Sequence, residues 1–353
     1  MNNFKINKTF LGDKCKPYII AEMSGNHNQS INKAIKIINA AAKCGANAIK
    51  IQTYTPNTIT LKSAKKDFVI KSKNSLWSGY TLHDLYNKAY TNWDWISEIY
   101  KQSNKLGIDC FSSVFDETSV DFLENLNTPA YKIASFENNH IPLIRKAAST
   151  KKPLIISTGL ATQIEIDEVV ENARQAGCKK LALLKCTSDY PANPRDSNLL
   201  SIPFIKKKYK TIVGLSDHTK GIGTAIASIS LGSSIIEKHF TLKRQNKSLD
   251  SEFSLNEKEF ESLVIESERA YLSLGIEKFG SSKREKKSLQ FRRSIYISQN
   301  IKKGETFTNK NIQIIRPGYS IHPRYYDKII GLRSDKNYET GERINKSILS
   351  KIK

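Results

Sequence analysis

The sequence predicts an α/β protein: a TIM (β/α)8 barrel followed by a small β-rich domain. Three observations support this prediction. Short apolar segments alternate with helical periodicity eight times, several predicted helices end at a glycine, and the composition changes after about residue 275. Gly45, Gly107, Gly177 and Gly232 follow predicted helices, where glycine adopts the left-handed backbone conformation at little cost.

Each barrel strand is predicted from an apolar or β-branched segment that ends in polar residues. In chain order these segments are Tyr18–Met23, Ala48–Tyr54, Asp109–Phe115, Ala130–Ser135, Pro153–Thr158, Leu181–Thr187, Thr211–Asp217 and Ser234–Phe240. Helical periodicity predicts the helices at Ile31–Lys43, Asp94–Leu106, Ser119–Asn125, Pro142–Ser149, Ile164–Ala176, Leu199–Lys208, Ile222–Leu231 and Glu257–Leu274. Strands that alternate with helices are typical of a parallel sheet, and eight such units close into a barrel.

An open, doubly wound sheet is the competing architecture for such an alternation. That fold would carry a glycine-rich dinucleotide loop after the first strand. The sequence there is Glu22-Met23-Ser24-Gly25-Asn26-His27, which is not such a loop. The barrel is therefore the preferred prediction.

The chain is predicted to comprise a barrel domain at residues 1–280, a linker at 281–290 and a β-rich domain at 291–353. The linker is predicted because the run from Ser281 to Lys287 is charged and has no apolar face. The last domain is small enough that packing against a barrel, its own or a neighbour's, is expected.

Two local patterns refine this division. In the last domain, strands are predicted at Arg293–Ile297 and Asn311–Arg316, with turns at Lys303-Gly304, Pro317-Gly318 and Thr340-Gly341. Residues Thr55–Tyr90 form a long insertion after the second barrel strand. We therefore expect the insertion on the barrel face where enzymes of this fold hold their active sites.

The composition fits a globular protein and excludes several other classes. Hydrophobic residues make up 39% and charged residues 25% of the chain, which excludes bulk disorder and a fibrous repeat. No stretch approaches the ~18 apolar residues of a membrane span, and the N-terminus has no apolar signal segment. The five cysteines have irregular spacings without a CxxC pair, which indicates free thiols and a cytoplasmic location.

The net charge is the unusual quantity in the composition. Lys and Arg number 56 against 34 Asp and Glu, which gives +22. A basic protein can bind nucleic acid or an acidic membrane surface. Here the basic residues are spread along the chain, without a basic helix carrying interleaved aromatics and without zinc-finger spacing. We therefore interpret the charge as a solvated lysine-rich surface, with neither nucleic acid nor membrane as a partner.

Polar residues concentrate at the C-terminal ends of the predicted strands, where barrel enzymes hold their catalytic groups. They are Glu22, Lys50, Gln52, Ser112, Ser113, Lys132, Ser135, Ser157, Thr158, Lys185, Cys186, Ser216, Asp217, His218, Glu237, Lys238 and His239, with Glu137 just beyond the fourth strand. A purely structural barrel would hold Val, Ile and Leu there, so this pattern predicts a polar mouth.

The lysines of this pattern predict an anionic ligand. An unpaired lysine is costly to bury, so we expect the strand-end lysines to face the mouth and to be neutralised by an anion. These lysines are Lys50, Lys132, Lys185 and Lys238. A ligand that carries both a phosphate and a carboxylate would match the lysines and the serine hydroxyls.

Two histidines end neighbouring predicted strands. Adjacent parallel strands lie about 4.8 Å apart, so the imidazoles of His218 and His239 are placed to reach one ion. Asp250, in the loop after the eighth strand, and Glu22, beside that strand in a closed barrel, are candidate oxygen ligands. The pattern predicts a catalytic metal site with open positions for substrate; neutral, hydrogen-bonded histidines are the alternative.

Other histidines and the aromatic residues are open to more than one interpretation. His27 is either functional or a residue that caps the first helix or holds its loop, whereas His83, His140 and His322 are predicted in loops or at the surface. One aromatic cluster is interpreted as a small satellite core, with a sugar-stacking wall as the alternative. This cluster consists of Trp77, Tyr80, Tyr86, Trp93 and Trp95.

Several motifs resemble the sialic acid synthases, which condense phosphoenolpyruvate with an N-acylated sugar. They are IIAEMSGNHNQS, GANAIKIQTYTP, AYKIASFE, PLIISTGLAT, LLKCTSDYP, GLSDHTKGIG and IIEKHFTL. The tail IKKGETFTNKNIQIIRPGYSIHP resembles the C-terminal antifreeze-like (SAF) domain of that family, so the resemblance covers essentially the whole chain. Within the family, IQTYTPNTITL and LWSGYTLHDLYNKA are closer to pseudaminic acid synthases than to N-acetylneuraminate synthases.

The resemblance implies a role for each matching residue. It implies that phosphoenolpyruvate is bound by Lys50, Ser113, Lys132, Ser135, Ser157 and Ser216. It implies that His218 and His239 bind a divalent ion, Mn2+ or Mg2+ with Co2+ as a further option, and that Glu22 beside the metal is the acid/base. The sugar would be faced by Gln52, Glu137, Tyr190 and Asp250. Arg316, in IIRPG, would reach into the site of a partner subunit, which implies a domain-swapped homodimer.

The implied reaction joins phosphoenolpyruvate to the open-chain aldehyde of 2,4-diacetamido-2,4,6-trideoxy-L-altrose. Its products would be a nine-carbon nonulosonic acid and phosphate, released by C–O cleavage. N-acetylneuraminate or legionaminic acid synthesis is the alternative within the family. A Schiff-base aldolase that uses a strand-end lysine and a non-catalytic carbohydrate-binding protein are the alternatives outside it.

Two positions depart from the pattern of the family. Val114 stands where a proline usually follows the serines of the third strand, and Lys243 stands where an Asp commonly follows HFTL. Neither departure removes an implied ligand. Lys243 is expected to alter the charge of the loop that carries Asp250.

Overall fold

The computed structural model of the chain describes residues 3–71, 77–244 and 248–351. The chain forms two compact units, Met1–Gly275 and Ile276–Lys353. The first unit begins with an antiparallel hairpin of β1 (Phe4–Ile6) and β2 (Thr9–Leu11), which the sequence analysis did not predict.

Eight parallel strands then close into a barrel in chain order, the last strand pairing with the first. They are β3 (Tyr18–Glu22), β4 (Ala48–Thr53), β5 (Asp109–Val114), β6 (Tyr131–Ile133), β7 (Leu154–Ser157), β8 (Leu181–Cys186), β9 (Ile212–Asp217) and β10 (Ile235–His239). The predicted TIM barrel is confirmed, and each strand boundary lies within two residues of its prediction.

Helices surround the barrel, and every predicted helix is present. The helices of the first unit are α1 (Ile31–Lys43), α2 (Pro56–Ile59), α3 (Leu82–Ala89), α4 (Trp93–Leu106), α5 (Glu117–Asn125), α6 (Ile141–Ser149), α7 (Gln163–Gln175), α8 (Ser201–Tyr209), α9 (Gly223–Ser230) and α10 (Glu257–Leu274). The four glycines predicted to stop helices have φ between 75° and 99°, so that prediction is also confirmed. None of the described helices has the length and hydropathy of a membrane span.

The alternation of strand residues divides the barrel into two regions. Side chains that point outward pack against the helices, as Ile49, Ile133 and Leu183 do. The N-terminal half of the interior is apolar, with Phe111 and Ile155 packed in the same cluster as Phe4, Ile6 and Leu11 of the hairpin. The hairpin therefore covers the apolar end of the barrel, and the polar residues of the strands are left to the C-terminal end.

The insertion after β4 folds on this C-terminal face. It contains α2 and α3, which pack against each other, and an antiparallel bridge between Val69 and Thr81, beside which Ile70 N–H donates to the Tyr80 carbonyl at 2.9 Å. The indole Nε1 of Trp93 donates to the carbonyl of Tyr54 at 3.1 Å, where the insertion leaves the strand. These contacts hold the insertion against the barrel.

The second unit is built around an antiparallel pair, β11 (Ser294–Ile297) and β12 (Ile312–Ile315), with the short helix α11 (Tyr326–Ile329). Both strands were predicted. Its core contains Ile295, Phe307 and Tyr338, among other buried side chains. Residues 285–291, which overlap the second half of the expected linker, form a 3-10 helix whose Gln290 carbonyl accepts a hydrogen bond from Gly318 N–H at 2.9 Å.

Candidate active site

Strand register brings the polar strand ends to one level of the barrel. Glu22 is paired in register with His239 on one side and with Lys50 on the other. Gln52 is paired with Ser113, which is paired in turn with Lys132 on the next strand. Side chains that are distant in sequence therefore point into the same mouth.

These side chains surround a cavity of about 360 Å³. Thirteen of the fourteen residues predicted to form the site line it: Glu22, Lys50, Gln52, Ser113, Lys132, Ser135, Glu137, Ser157, Tyr190, Ser216, His218, His239 and Asp250. The fourteenth, Arg316, is exposed at the end of β12 in the second unit. The expected convergence of imidazoles, ammonium groups and hydroxyls on one cavity is thus present in the first unit.

Two lysines and two glutamates form a charge network on the floor of this cavity. Lys50 Nζ lies 2.7 Å from Glu22 Oε2 and 3.6 Å from Glu237 Oε1, and Lys132 Nζ lies 4.0 Å from Glu237 Oε2. All four side chains are at most 5% exposed. When both glutamates are ionised, the two positive and two negative charges balance, so the prediction that these lysines need an external anion for neutralisation is wrong.

The network shifts the protonation of its members in opposite directions. Burial would raise the pKa of Glu237, but Lys132 and Lys50 outweigh it and lower that pKa. Burial and the nearby Glu237 raise the pKa of Glu22 to about 7, against the attraction of Lys50. Glu22 is therefore the carboxyl of the floor that changes protonation near neutral pH.

Hydroxyl groups orient these charges. Lys50 Nζ donates to Ser113 Oγ at 2.9 Å, and Lys132 Nζ donates to Ser157 Oγ at 2.7 Å. Ser216 Oγ donates to Glu237 Oε1 at 3.1 Å. Because a hydroxyl can rotate from acceptor to donor, the same serines are able to bind an incoming anion.

Lys185 and Lys238 do not face the cavity, so the expectation for these two lysines is wrong. Lys238 is fully buried and pairs with Asp217 at 2.7 Å; Lys185 Nζ donates to the Cys186 carbonyl at 2.9 Å. Strand parity is the reason, because Glu237 and His239 take the inward positions of β10 and leave Lys238 on the side of the helices. Asp217 and Lys238 directly precede the two histidines, and their ion pair ties β9 to β10.

The two imidazoles lie side by side, with ring centroids 5.3 Å apart. His218 Nδ1 donates to the Thr187 carbonyl at 2.8 Å, which leaves Nε2 as the nitrogen available to a ligand. Burial lowers the pKa of this ring, but the nearby Cys186, the Thr187 carbonyl and Glu237 outweigh it and raise that pKa. His239 Nδ1 is buried without a hydrogen-bond partner and lies 3.8 Å from Asp250 Oδ2. Burial and neighbouring cations hold the pKa of His239 well below its usual range, so this ring is neutral.

This donor set fits a divalent ion with few protein ligands. Within residues 3–71, 77–244 and 248–351, no group of three or more His, Cys, Asp or Glu side chains is arranged to hold a metal. The neutral ring of His239, whose Nδ1 is buried without a partner, and the ring of His218 with Nε2 deprotonated can still bind an ion whose other positions are filled by substrate or water. The residues present therefore fit an open, catalytic type of metal site.

Aromatic and acidic groups complete the cavity beside the imidazoles. The ring of Tyr190 lies 4.4 Å from that of His218 and 5.4 Å from that of Phe253, measured between centroids. Glu137 Oε2 is buried without a hydrogen-bond partner among the described residues. Burial raises the pKa of Glu137 to about 7 and also raises the pKa of Asp250. Such acceptors suit the hydroxyl and amide groups of a sugar.

The sequence analysis did not assign Glu237 a role, although it is central to the charge network. The signal that identifies it is strand parity: a residue two positions before the inward-facing His239 must also face inward. Cys186 lines the cavity for the same reason, at the end of β8. The apolar residues of the insertion that line the cavity carry no comparable signal in the sequence.

The aromatic cluster is not one satellite core, so that interpretation is wrong. Trp77 and Tyr86 line the cavity, and Trp93 and Trp95 pack against the core between strands and helices. Tyr80 lies under the ammonium group of Lys88, 4.5 Å from Nζ to ring centroid.

The histidines outside the cavity are structural or lie near the surface. His27 is fully buried; its Nδ1 accepts from Gln29 N–H at 3.1 Å and its Nε2 lies 3.2 Å from Thr91 Oγ1. Burial lowers its pKa to about 4, so it is a neutral residue that holds its loop. His140 and His322 are exposed, and His83 lies 3.0 Å from Asn57 Oδ1 in the insertion.

The two departures from the family pattern lie outside the cavity lining. Val114 is fully buried between strand and helices, where its side chain packs like that of any core valine. Lys243 is exposed.

These features define a class of protein: a barrel enzyme with a buried, balanced charge network beside a pair of imidazoles. The chain belongs to the NeuB family, whose model matches residues 37–278, and it carries a SAF domain, whose model matches residues 292–347.

Relatives of known name share nearly the whole chain. A "Pseudaminic acid synthase" of Campylobacter jejuni is 42% identical over 332 residues, 94% of this chain and 96% of that one. An "N,N'-diacetyllegionaminic acid synthase" of the same species is 34% identical, with 93% and 99% covered. The solved structure of an N-acetylneuraminic acid synthetase from Leptospira borgpetersenii is 30% identical, with a TM-score of 0.72, covering 82% of this chain and 96% of that one.

We predict that Glu137 makes folding stability fall as pH rises through its titration range. Its pKa is about 7 in the folded chain and about 4.5 when unfolded, so the folded state binds the extra proton between these values. The loss between pH 4.5 and 7 is at most about 3 kcal/mol. Urea unfolding measures this at pH 5 and at pH 8. Between these two pH values, the free energy of unfolding should fall less for Glu137→Gln than for the wild type.

Glu168→Gln is the control for this measurement, because Glu168 is exposed on α7. We expect the control to follow the wild type at both pH values. A Glu137→Gln variant whose stability changes with pH as much as that of the wild type would contradict the assignment.

Proposed function

We propose that the protein condenses phosphoenolpyruvate with the aldehyde form of 2,4-diacetamido-2,4,6-trideoxy-L-altrose, giving pseudaminic acid and phosphate. The observation that carries this proposal is one cavity with Lys50 and Lys132 on its floor and two imidazoles beside them. The 42% identity to the Campylobacter jejuni enzyme supports the choice of sugar over those of the N-acetylneuraminate and legionaminic acid synthases. The five free thiols support a reducing compartment, and we place the reaction in the cytoplasm.

Phosphoenolpyruvate is assigned to the floor of the cavity. Lys50 and Lys132 offer ammonium donors, and Ser113, Ser135 and Ser157 offer hydroxyl donors at the same level. With Glu22 ionised the floor is neutral, so the anion competes with Glu22 and Glu237 for the two lysines. Protonation of Glu22, whose pKa is about 7, relieves this competition.

The aldehyde is assigned to the imidazoles. His218 and His239 would hold a divalent ion, Mn2+, Mg2+ or Co2+, which when bound acts as a Lewis acid toward the aldehyde oxygen. Tyr190 packs on the His218 ring and limits water beside it. Gln52, Glu137 and Asp250 are the acceptors and donors left for the hydroxyl and amide groups of the sugar.

The bond changes of the reaction balance without a redox partner. A C–C bond forms between C3 of phosphoenolpyruvate and C1 of the aldehyde, whose oxygen takes a proton. Water adds its oxygen to C2, and the C2–O bond to phosphate breaks as the 2-keto group forms. Glu22 is assigned to these proton transfers, because its carboxyl lies in the cavity and its pKa is near the working pH.

Phosphate release tests the proposed function. With phosphoenolpyruvate and Mn2+, we expect release with the 2,4-diacetamido sugar and little with N-acetylmannosamine. EDTA should abolish release, and added divalent ion should restore it. A preference for N-acetylmannosamine would contradict the choice of sugar, and borohydride trapping of pyruvate on a lysine would instead indicate an aldolase.

The same assay tests the metal site. The double variant His218→Ala, His239→Ala should lose both turnover and Mn2+ binding, measured calorimetrically without substrate, while it still binds phosphoenolpyruvate. A double variant that releases phosphate at the wild-type rate would overturn the assignment of the ion to these rings.

Glu22→Gln is predicted to change catalysis and binding in opposite directions. Loss of the proton-transfer group should lower kcat by about 10²- to 10⁴-fold. Loss of one negative charge should tighten phosphoenolpyruvate binding, because the floor then carries one net positive charge. Steady-state kinetics and calorimetry with phosphoenolpyruvate measure the two effects.

Glu237→Gln is the matched variant for Glu22→Gln, because it removes the same charge from the same network. We expect it to tighten phosphoenolpyruvate binding as well, with a smaller loss of kcat. If both variants lost kcat equally, the assignment of proton transfer to Glu22 would be wrong.

We further propose that Arg316 completes the site of a second copy of the chain in a domain-swapped homodimer. Two observations support this proposal. Arg316 is exposed at the end of β12, and among the described residues that line the cavity none is an arginine. A planar guanidinium suits the carbonyl oxygen of an acylamino group.

Co-expression of two inactive variants tests the swap. Arg316→Ala and His239→Ala should each be inactive alone, whereas co-expressed chains should regain about a quarter of wild-type activity from heterodimers with one intact site. No recovery in purified, doubly tagged dimers would mean that Arg316 serves its own barrel. A monomer in light scattering would exclude the swap.

A further inference from the structure

The cavity has a polar part and an apolar part, and the two come from different segments of the chain. The strand ends supply the charged and hydroxyl groups. The insertion supplies the aromatic side chains of Trp77 and Tyr86 and five aliphatic side chains. The five, Ile59, Ile70, Leu82, Leu85 and Ala89, are called the apolar wall. None of these five side chains can donate or accept a hydrogen bond.

The wall is held in place by contacts within the insertion and with the barrel. α2, which carries Ile59, begins with a capping box between Thr55 and Thr58 and packs on α3. Ile70 is fixed by main-chain hydrogen bonds of 2.9 Å with both Tyr80 and Gly79. The wall therefore presents a defined surface to the cavity.

The C-terminal end of α3 is attached to the loop after β3. Gln29 Nε2 donates to the carbonyl of Tyr90 at 2.6 Å. Ala89 Cα lies 3.4 Å from the position that a Cβ on Gly25 would take, so the helix end packs beside this loop at van der Waals distance. Ala89 and Leu85 are thereby positioned at the edge of the cavity.

The position of the wall indicates which part of a substrate meets it. This step rests on the proposed function, in which the three-carbon anion occupies the lysine floor and the aldehyde carbon lies at the imidazoles. We assign the remaining carbons of the sugar to the part of the cavity that the insertion lines, because the floor and the imidazoles are then already occupied. The end of the sugar farthest from the aldehyde is the part that reaches the wall.

A hydroxyl at that end would lose its water without gaining a partner from the wall. A methyl group would instead bury apolar surface against leucine and isoleucine side chains. An apolar pocket separates two ligands that differ by one such group by about 10- to 200-fold.

We propose that the apolar wall is the specificity determinant that selects a sugar ending in a methyl group over one ending in a hydroxymethyl group. It is the insertion, and not the strand ends, that distinguishes 6-deoxy from 6-hydroxy substrates. The strand ends serve the chemistry common to both.

Competition between two sugars tests this proposal. The 6-deoxy diacetamido sugar is compared with its 6-hydroxy counterpart by kcat/KM for phosphate release. The wild type should prefer the 6-deoxy sugar by about 100-fold. Ile70→Thr and Leu82→Asn place hydrogen-bonding groups of similar size in the wall, and each should reduce this ratio about tenfold. The KM for phosphoenolpyruvate should stay within about twofold of the wild type, because the floor is unchanged.

Leu61→Asn is the matched control, since Leu61 lies in the same insertion but is 67% exposed and does not line the cavity. Its ratio should equal that of the wild type. Ala89→Ser adds a hydroxyl with the smallest change in volume, and it replaces either larger substitution if that variant does not fold.

The outcomes separate this inference from the proposed function. A wild type that uses both sugars equally, or wall variants that keep the wild-type ratio, would overturn the inference and leave the proposed function intact. A wild type that releases no phosphate with either sugar would overturn the proposed function, and this inference with it. If the 6-deoxy preference falls in the wall variants and not in Leu61→Asn, the result supports both the inference and the proposed function.

Discussion

The candidate site depends on the mutual neutralisation of four buried charges. Two lysines and two glutamates at the C-terminal end of the barrel lie in an interior where an unpaired charge would cost several kcal/mol. Their balance lets the polar floor exist before any ligand arrives, with serine hydroxyls already holding the ammonium groups. The same balance makes the floor responsive, because a bound anion must displace a carboxylate or be accompanied by a proton. Glu22, with a pKa of about 7, is the group that permits the second route.

A second buried ion pair, on the outer side of the same strands, supports the imidazoles. Asp217 and Lys238 join β9 to β10 immediately before His218 and His239. Inward residues of these strands therefore serve binding, while outward residues keep the two strand ends in register. Asp217 and Lys238 therefore stabilise the barrel from its helix-facing side, even though each is next to a site histidine in sequence. This arrangement is a direct result of strand alternation.

The insertion after β4 makes the part of the cavity that it lines mainly apolar, in contrast to the polar floor formed by the strand ends. The barrel strands offer charges and hydroxyls, which suit chemistry at a phosphate and a carbonyl. The insertion offers aliphatic side chains together with the rings of Trp77 and Tyr86, which suit recognition of substrate parts that do not react. Binding energy at such remote parts orients a substrate without interfering with the reacting groups. Barrel enzymes generally vary in their βα loops, and this loop is where a change of substrate would be made at least cost to the fold.

The sequence alone determined the barrel, its eight strands and helices, and thirteen of the residues that line the cavity, because strand periodicity and glycine stops are local signals. It also indicated Glu22 as the neighbour of His239, since closing the barrel makes the first and last strands adjacent. Only the tertiary structure decided which strand-end lysines face the cavity, that Glu237 neutralises two of them, and that part of the aromatic cluster belongs to the cavity wall. These outcomes depend on strand parity and on packing between distant segments, and neither is a property of any single stretch of the chain.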